Sequence, residues 1–157
     1  NRLSDGTIDC IATDHAPHTL ENKALGFPKA HAGMPGVETS LPVMLTHAAD
    51  GKCSIPDVVR WMCEGPSRVY GIQGKGRLQE GMDADLVLVD MESSRTISDA
   101  DTWTRVGWTA YEGISLTGWP VCTVVDGTIV HSRTAGGPNS GEILVEPGSV
   151  GRALRFA

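Results

Sequence analysis

An apolar, β-rich run that stops abruptly at a carboxylate constrains this chain more than any other feature. Asp14 follows residues 8–11 closely, His15 comes directly after it, and His18 lies four positions further on than Asp14. A strand buried on both faces stays apolar, and a carboxylate at its end loses hydration unless a metal, a cation or several donors meet it. In a βα-barrel such strand ends form the mouth that carries the active site. Pro17 cannot continue a paired strand, so the chain must turn there.

The D-H-x-x-H spacing alone would also fit an ordinary turn at the start of a helix, capped by Thr13 or Asp14. A second segment of the sequence favours the active-site interpretation over this one. Residues 31–36 form a Gly/Pro-rich loop that leads into apolar positions at helical spacing. Pro42 is expected in the first turn of that helix, where no backbone donor is lost. The apolar stripe is formed by Val37, Leu41, Met44, Leu45 and Ala48.

Together the two motifs resemble the dihydroorotase family of the amidohydrolase superfamily. Residues 13–18 read T-D-H-A-P-H, and residues 36–42 match G-x-E-T-x-L-P. The resemblance implies an α/β fold, namely the C-terminal end of a metal-dependent (β/α)8 barrel plus part of a small β-sandwich domain. Because such a barrel needs about 250 residues and this chain has 157, we expect it to be the C-terminal part of a longer enzyme.

The chain divides by pattern into two regions. Residues 1–72 are expected to hold the last strand, the substrate loop and the helices of the barrel, and residues 73–157 the β-sandwich segment and a tail. Residues 76–90 resemble the G-x-L-x-x-G-x-x-A-D-L pattern of amidohydrolase sandwich domains. Within it, the Leu/Val run from about residue 84 to 89 predicts a strand buried on both faces. Asp126-Gly127 between two β-rich runs predicts a type I′ hairpin, and the residues after Arg133 suggest a loosening tail.

Two further local signals concern the helices. Ser54 followed by Asp57 predicts a capping box at the start of a second helix. Gly65-Pro66 is expected to end that helix, with one more turn before Gly71. The same stretch resembles the family's N-P-A-x-x-x-G segment, with Gly65 in place of the usual Asn.

Composition excludes several function classes. With 13 basic and 19 acidic residues, a net charge of −6 offers no basic face for nucleic acid. No apolar run approaches the roughly 20 residues that cross a bilayer, so we expect no membrane association, no signal peptide and a cytoplasmic location. The four scattered cysteines predict free thiols that act as small apolar residues.

Asp14 carries the chemistry that the residues permit. A carboxylate can coordinate a metal through one oxygen and accept a proton from the attacking water through the other. The resemblance implies the same roles, general base and metal ligand, for Asp14, and substrate contacts for His18, Ala32 and Gly33. We assign His15 to holding a neighbouring carboxylate or carbonyl in place, with core packing as the alternative.

The resemblance also implies the reaction and its cofactor. Dihydroorotases interconvert dihydroorotate and N-carbamoyl-L-aspartate in UMP biosynthesis and bind one or two Zn²⁺ ions. Their other ligands, an H-x-H motif, a carboxylated lysine and two histidines, precede the strand that ends at Asp14. We therefore expect the 157 residues alone to bind metal weakly and to be inactive.

Two alternatives remain open. One is a related cyclic amidohydrolase, an allantoinase or a hydantoinase, although those relatives tend to have S-D-H with Cys or Ser nearby. The other is a non-catalytic relative retained as a partner of aspartate transcarbamoylase, against which the intact residues 13–18 argue. A homo-oligomer or a complex with aspartate transcarbamoylase is compatible with the resemblance.

Overall fold

The computed structural model describes residues 2–133, 141–143 and 151–157. Helices occupy its first half and strands its second. The helical segments are α1 (Leu20–Ala24), α2 (Ser40–Ala49), α3 (Ile55–Val59), a π-helix (Arg60–Glu64), α4 (Gly65–Val69) and a 3-10 turn (Asp99–Asp101). The strands are β1 (Leu86–Thr96), β2 (Ser115–Val125), β3 (Thr128–Arg133) and β4 (Gly141–Ile143). No helix in these described ranges is long and apolar enough to span a bilayer.

The four strands form one antiparallel sheet in the order β1-β2-β3-β4. The predicted hairpin is confirmed: β2 and β3 are joined by Asp126 and Gly127, whose φ angles are 48° and 78°. Two consecutive positive φ values are what a type I′ turn requires, and Asp-Gly tolerates them. The turn therefore sets the register of this part of the sheet.

The strand predicted over residues 84–89 exists, but it runs longer, as β1, and its predicted burial on both faces is wrong for the described residues. Leu86, Val87 and Leu88 expose 39%, 47% and 51% of their surface. Within the described sheet β1 pairs with β2 along one edge only. An apolar sequence indicates what a strand can bury, whereas burial also requires a covering element.

The strand predicted before Asp14 is not formed as a sheet strand. Residues 9–14 have no ladder partner among the described residues. The segment is tied down singly, since the Ile11 amide donates to the Trp61 carbonyl at 3.0 Å and His15 makes an isolated parallel bridge with Met34. A strand needs a neighbouring strand, so the barrel and the sandwich both stay predictions.

Helix α2 supplies the main contact between the helices and the sheet. It begins at Ser40, so Val37 lies before it and is exposed, while Pro42 lies in its first turn and is buried, as predicted. The Thr46 hydroxyl oxygen accepts a hydrogen bond from the Thr117 amide of β2 at 2.8 Å. The buried apolar core comprises Leu45, Val58, Trp61, Ile97 and Leu116.

The capping box at the start of α3 is confirmed. The Ser54 hydroxyl accepts from the Asp57 amide, and an Asp57 carboxylate oxygen accepts from the Ser54 amide at 2.9 Å. The predicted end of the helix at Gly65-Pro66 is wrong, because the helical chain continues through the π-helix into α4. The predicted extra turn before Gly71 corresponds to α4.

Residues 151–157 return to the end of α4. The Gln73 amide donates to the Arg155 carbonyl and the Ala157 amide to the Gly71 carbonyl, each at 2.8 Å. The predicted loosening of the tail falls on residues 134–140 and 144–150, which lie outside the described residues. The four cysteines are free thiols, as expected, although Cys63 is exposed and so does not act as a core residue.

An ion-pair network joins the loop before β1 to the hairpin turn. Lys75 pairs with Asp83 at 3.1 Å and with Asp85, and Arg152 pairs with Asp83 at 3.3 Å and with Asp126. Hydrogen bonds from Lys75 and from the Asp126 amide hold the pKa of the Asp85 carboxyl below its usual value. The hydrogen bond to Asp85 raises the pKa of the Lys75 ammonium.

We expect this network to make stability depend on pH at both extremes. A carboxyl with a lowered pKa stabilises the fold fully above its unfolded value of about 4, and the contribution disappears as the pH falls through its folded pKa. An ammonium with a raised pKa stabilises fully below about 10.4, and its contribution disappears as the pH rises through its folded pKa. Urea unfolding of Asp85→Asn should therefore show a weaker loss of stability below pH 4 than the unsubstituted protein. Glu92→Gln on the exposed part of β1 is the control, and an equal flattening there would contradict the assignment.

Candidate active-site segment

Asp14 lies at a turn that few side chains tolerate. Its φ is +42°, in the left-handed region where Asp and Asn are enriched because their short polar side chains bond locally. The residue is exposed. The carboxylate therefore stands at the point where the extended segment bends into residues 15–18, as predicted from Pro17.

His15 holds the loop that follows. Its Nδ1 accepts hydrogen bonds from the Gly36 amide at 3.1 Å and from the Val37 amide at 3.3 Å, and the neighbouring Ala16 amide donates to the Met34 carbonyl at 3.1 Å. An accepting Nδ1 places the ring proton on Nε2. The positioning role expected for His15 thus has a contact to support it, but the ring holds two amides rather than a carboxylate or carbonyl.

We predict that the hydrogen-bond acceptor of His15, rather than the bulk of its ring, stabilises the loop. His15→Phe removes the acceptor and leaves two backbone amides without it, which should lower the free energy of unfolding by about 1–3 kcal/mol. His15→Asn offers an oxygen close to the place of Nδ1 and should retain most of the stability. Chemical denaturation of both variants checks this, and equal destabilisation by Phe and Asn would show that the hydrogen bonds contribute nothing.

Gly33 is required by the packing of the loop. Its φ is +116°, and a Cβ there would lie 2.7 Å from both the Cβ and the carbonyl oxygen of Ala16. The sequence suggested that this glycine allows close approach of a substrate, whereas the structure supplies a sufficient reason within the protein. Its backbone, and that of the exposed Ala32, remain candidates for substrate contact.

Two histidine rings meet at the edge of this segment. The rings of His18 and His31 stack with centroids 4.9 Å apart and an interplanar angle of 26°. The His18 carbonyl accepts a hydrogen bond from Nε1 of Trp108 at 2.7 Å. His31 had no assigned role from the sequence, since it lies 13 positions after His18 and only the loop closure brings the two rings together.

Lys23 is a second residue that sequence reasoning missed. Its Nζ donates to the His31 carbonyl at 2.9 Å and to the Gly33 carbonyl at 2.8 Å, and lies 5.8 Å from the centroid of the Trp108 ring. These bonds hold both ends of the 31–33 stretch. They also place one positive charge beside the candidate substrate residues.

Glu38 joins two distant parts of the chain. Its two carboxylate oxygens accept from the amides of Trp103 at 2.9 Å and Thr104 at 2.7 Å. The side chain therefore fixes the loop between β1 and β2 against the start of α2.

A cavity of about 230 Å³ lies behind this segment, between the Glu38 loop and one face of the sheet. His15, Trp103, Trp108 and Trp119 line it, but Asp14 does not. Two of these tryptophans have satisfied indole donors, since Nε1 of Trp108 donates to the His18 carbonyl and Nε1 of Trp119 to the Leu116 carbonyl. The cavity therefore adjoins the residue that follows the candidate catalytic carboxylate, without including the carboxylate itself.

The described residues do not complete a metal centre. Among them, no group of three or more His, Cys, Asp or Glu side chains could hold an ion. Asp14 is suited to be one ligand, while Nδ1 of His15 is already occupied by two amides. Any metal held by Asp14 would need further ligands from outside these residues.

The sequence and the fold of this chain are both similar to those of known proteins. The profile of the amidohydrolase family matches residues 1–130. The chain is 44% identical over 129 residues to a dihydroorotase of Halobacterium salinarum (82% of this chain, 30% of that protein) and 38% identical over 149 residues to a dihydroorotase of Pyrococcus furiosus (94% and 34%). It superposes with a TM-score of 0.79 and 36% identity on an L-hydantoinase (dihydropyrimidinase) of Arthrobacter aurescens, covering 92% of this chain and 32% of that one. The chain thus spans about a third of the length of each of these proteins.

Proposed function

The chain belongs to the amidohydrolase family, and from this premise we propose that it forms the C-terminal part of a zinc-dependent dihydroorotase. The reaction interconverts dihydroorotate and N-carbamoyl-L-aspartate, a step of UMP synthesis. The observation that carries the proposal is the exposed Asp14 at its left-handed turn, followed by residues 15–18, which are bonded to the loop of residues 31–36. The relatives named dihydroorotase support the choice of substrate.

Asp14 is the general base in this proposal. Its carboxylate accepts the proton of the attacking water and returns a proton to the amide nitrogen that leaves as the ring opens. Bound zinc, with Asp14 as one ligand, would polarise the carbonyl and lower the pKa of its water to about 7. Because no group of three or more metal-binding side chains lies among the described residues, we do not expect the 157 residues alone to catalyse the reaction.

The segment that follows Asp14 and the loop bonded to it favour an anionic substrate. His18 can donate a ring N–H to a carboxylate, its ring stacks on that of His31, and the Gly33 backbone lies against Ala16. The Lys23 ammonium, held on the His31 and Gly33 carbonyls, adds positive potential at the same place. Dihydroorotate carries a carboxylate that hydantoin and allantoin lack, so these groups fit dihydroorotate better.

A hydantoinase is the second candidate, and the structural similarity to the Arthrobacter aurescens enzyme favours it. Turnover of dihydroorotate, hydantoin and allantoin by the complete protein separates the two. We expect dihydroorotate to have the highest kcat/KM. A preference for hydantoin would replace the proposal, and turnover of none of the three would favour the non-catalytic partner of aspartate transcarbamoylase.

A further inference from the structure

The π-helix releases one backbone carbonyl from the helix. Within it, the Gly65 amide donates to the Arg60 carbonyl, five residues back, instead of to Trp61 four residues back. The next residue in the same register would donate to the Trp61 carbonyl, but that residue is Pro66, which has no N–H. The Trp61 carbonyl instead accepts the Ile11 amide at 3.0 Å.

The same turn of helix meets residues 9–11 at two further points. A Cβ on Gly65 would lie 2.6 Å from the Asp9 carbonyl oxygen and 3.0 Å from Cβ of Cys10, so in this chain a side chain at residue 65 would displace the helix or the segment. The Arg68 guanidinium pairs with the Asp9 carboxylate at 2.7 Å. The helix therefore contacts residues 9, 10 and 11, and the last of these lies three positions before Asp14.

We propose that Gly65 and Pro66 are positioning residues for Asp14. Residues 9–14 have no ladder partner among the described residues, and the contact with the helix is one of the bonds that place them, beside the bridge between His15 and Met34. Pro66 keeps the Trp61 carbonyl available to Ile11, and Gly65 provides the space for the segment to reach it. The expected effect on catalysis rests on the proposed function, because it assumes that Asp14 is the general base. The contact between the helix and residues 9–11 does not depend on that assumption.

Pro66→Ala tests the inference in the complete protein. The new amide at residue 66 gives the Trp61 carbonyl a donor within the helix, which competes with Ile11. We expect amide exchange of residues 8–13 to become about five- to tenfold faster. We also expect kcat for dihydroorotate to fall roughly tenfold to a hundredfold with little change in KM, since a displacement of about 1 Å at a reacting group has this effect.

Pro56→Ala is the matched control. Pro56 lies in the first turn of α3, where the backbone amide has no partner within the helix in any case. This variant should change neither amide exchange at residues 8–13 nor kcat. Gly65→Ala is the second variant: it displaces the same segment by contact with the Asp9 carbonyl and should reproduce the fall in kcat without a new donor.

The outcomes separate this inference from the proposed function. If Pro66→Ala leaves exchange at residues 8–13 unchanged, or accelerates it while kcat stays the same, the positioning role is overturned. If the unsubstituted protein has no turnover of dihydroorotate, the proposed function fails. In that case the amide-exchange data alone test whether the contact with the helix holds residues 9–11 in place.

Discussion

Replacement of Asp14 by Asn is expected to lower kcat for dihydroorotate by about 10²–10⁴-fold, the range that a positioned general base contributes. Asn is chosen because it keeps the size of the side chain and tolerates the φ of +42° at this turn. It cannot accept the proton from water as a carboxylate does. Circular dichroism and thermal unfolding of the variant should match those of the unsubstituted protein.

Asp126→Asn is the matched control for this change. Asp126 also has a positive φ, 48°, and lies in the hairpin turn, where Asn-Gly is as favourable as Asp-Gly. We expect its kcat to equal that of the unsubstituted protein. If Asp14→Asn also retained full activity, Asp14 would have no catalytic role.

Gly118→Ala is expected to destabilise the protein by roughly 2–4 kcal/mol, the largest effect on stability that we anticipate from one methyl group. Gly118 is buried in β2 with φ +88°, and a Cβ there would lie 2.6 Å from Cβ and 3.0 Å from Cδ1 of Leu45. The variant therefore adds backbone strain to overpacking, at the place where α2 contacts the sheet. Urea unfolding measures the change.

Gly113→Ala separates these two contributions. Gly113 has a similar φ of +75°, but nothing lies within 4 Å of the added Cβ. Backbone strain alone should then lower the free energy of unfolding by about 1–2 kcal/mol. Equal losses for Gly113→Ala and Gly118→Ala would show that the contact with Leu45 costs nothing, contrary to our interpretation of the α2 and β2 interface.

Features that depend on a few adjacent residues were predictable from the sequence. The Asp126-Gly127 hairpin and the Ser54 capping box follow from local backbone and side-chain chemistry, and both are present. The turn at Asp14 was expected because Pro17 follows it. In each case the energy that selects the structure acts within about four residues.

Features that depend on distant packing were not predictable in this way. Gly65 resembled a helix stop, yet the helical chain continues through it, and its missing side chain leaves room for the distant Asp9 carbonyl. His31 and Lys23 meet the His18 segment only when the loop closes. Single-sequence patterns contain no information about which distant groups come together.

Turnover of dihydroorotate with and without a metal chelator, compared between the complete protein and these 157 residues alone, tests the central claim most directly. We expect the complete protein to be active and to lose activity with the chelator, because Asp14 would share an ion with ligands outside the described residues. We expect no turnover by the 157 residues alone. Chelator-sensitive hydrolysis by the 157 residues, or no turnover by the complete protein, would contradict the claim that Asp14 is one part of a larger metal-dependent site.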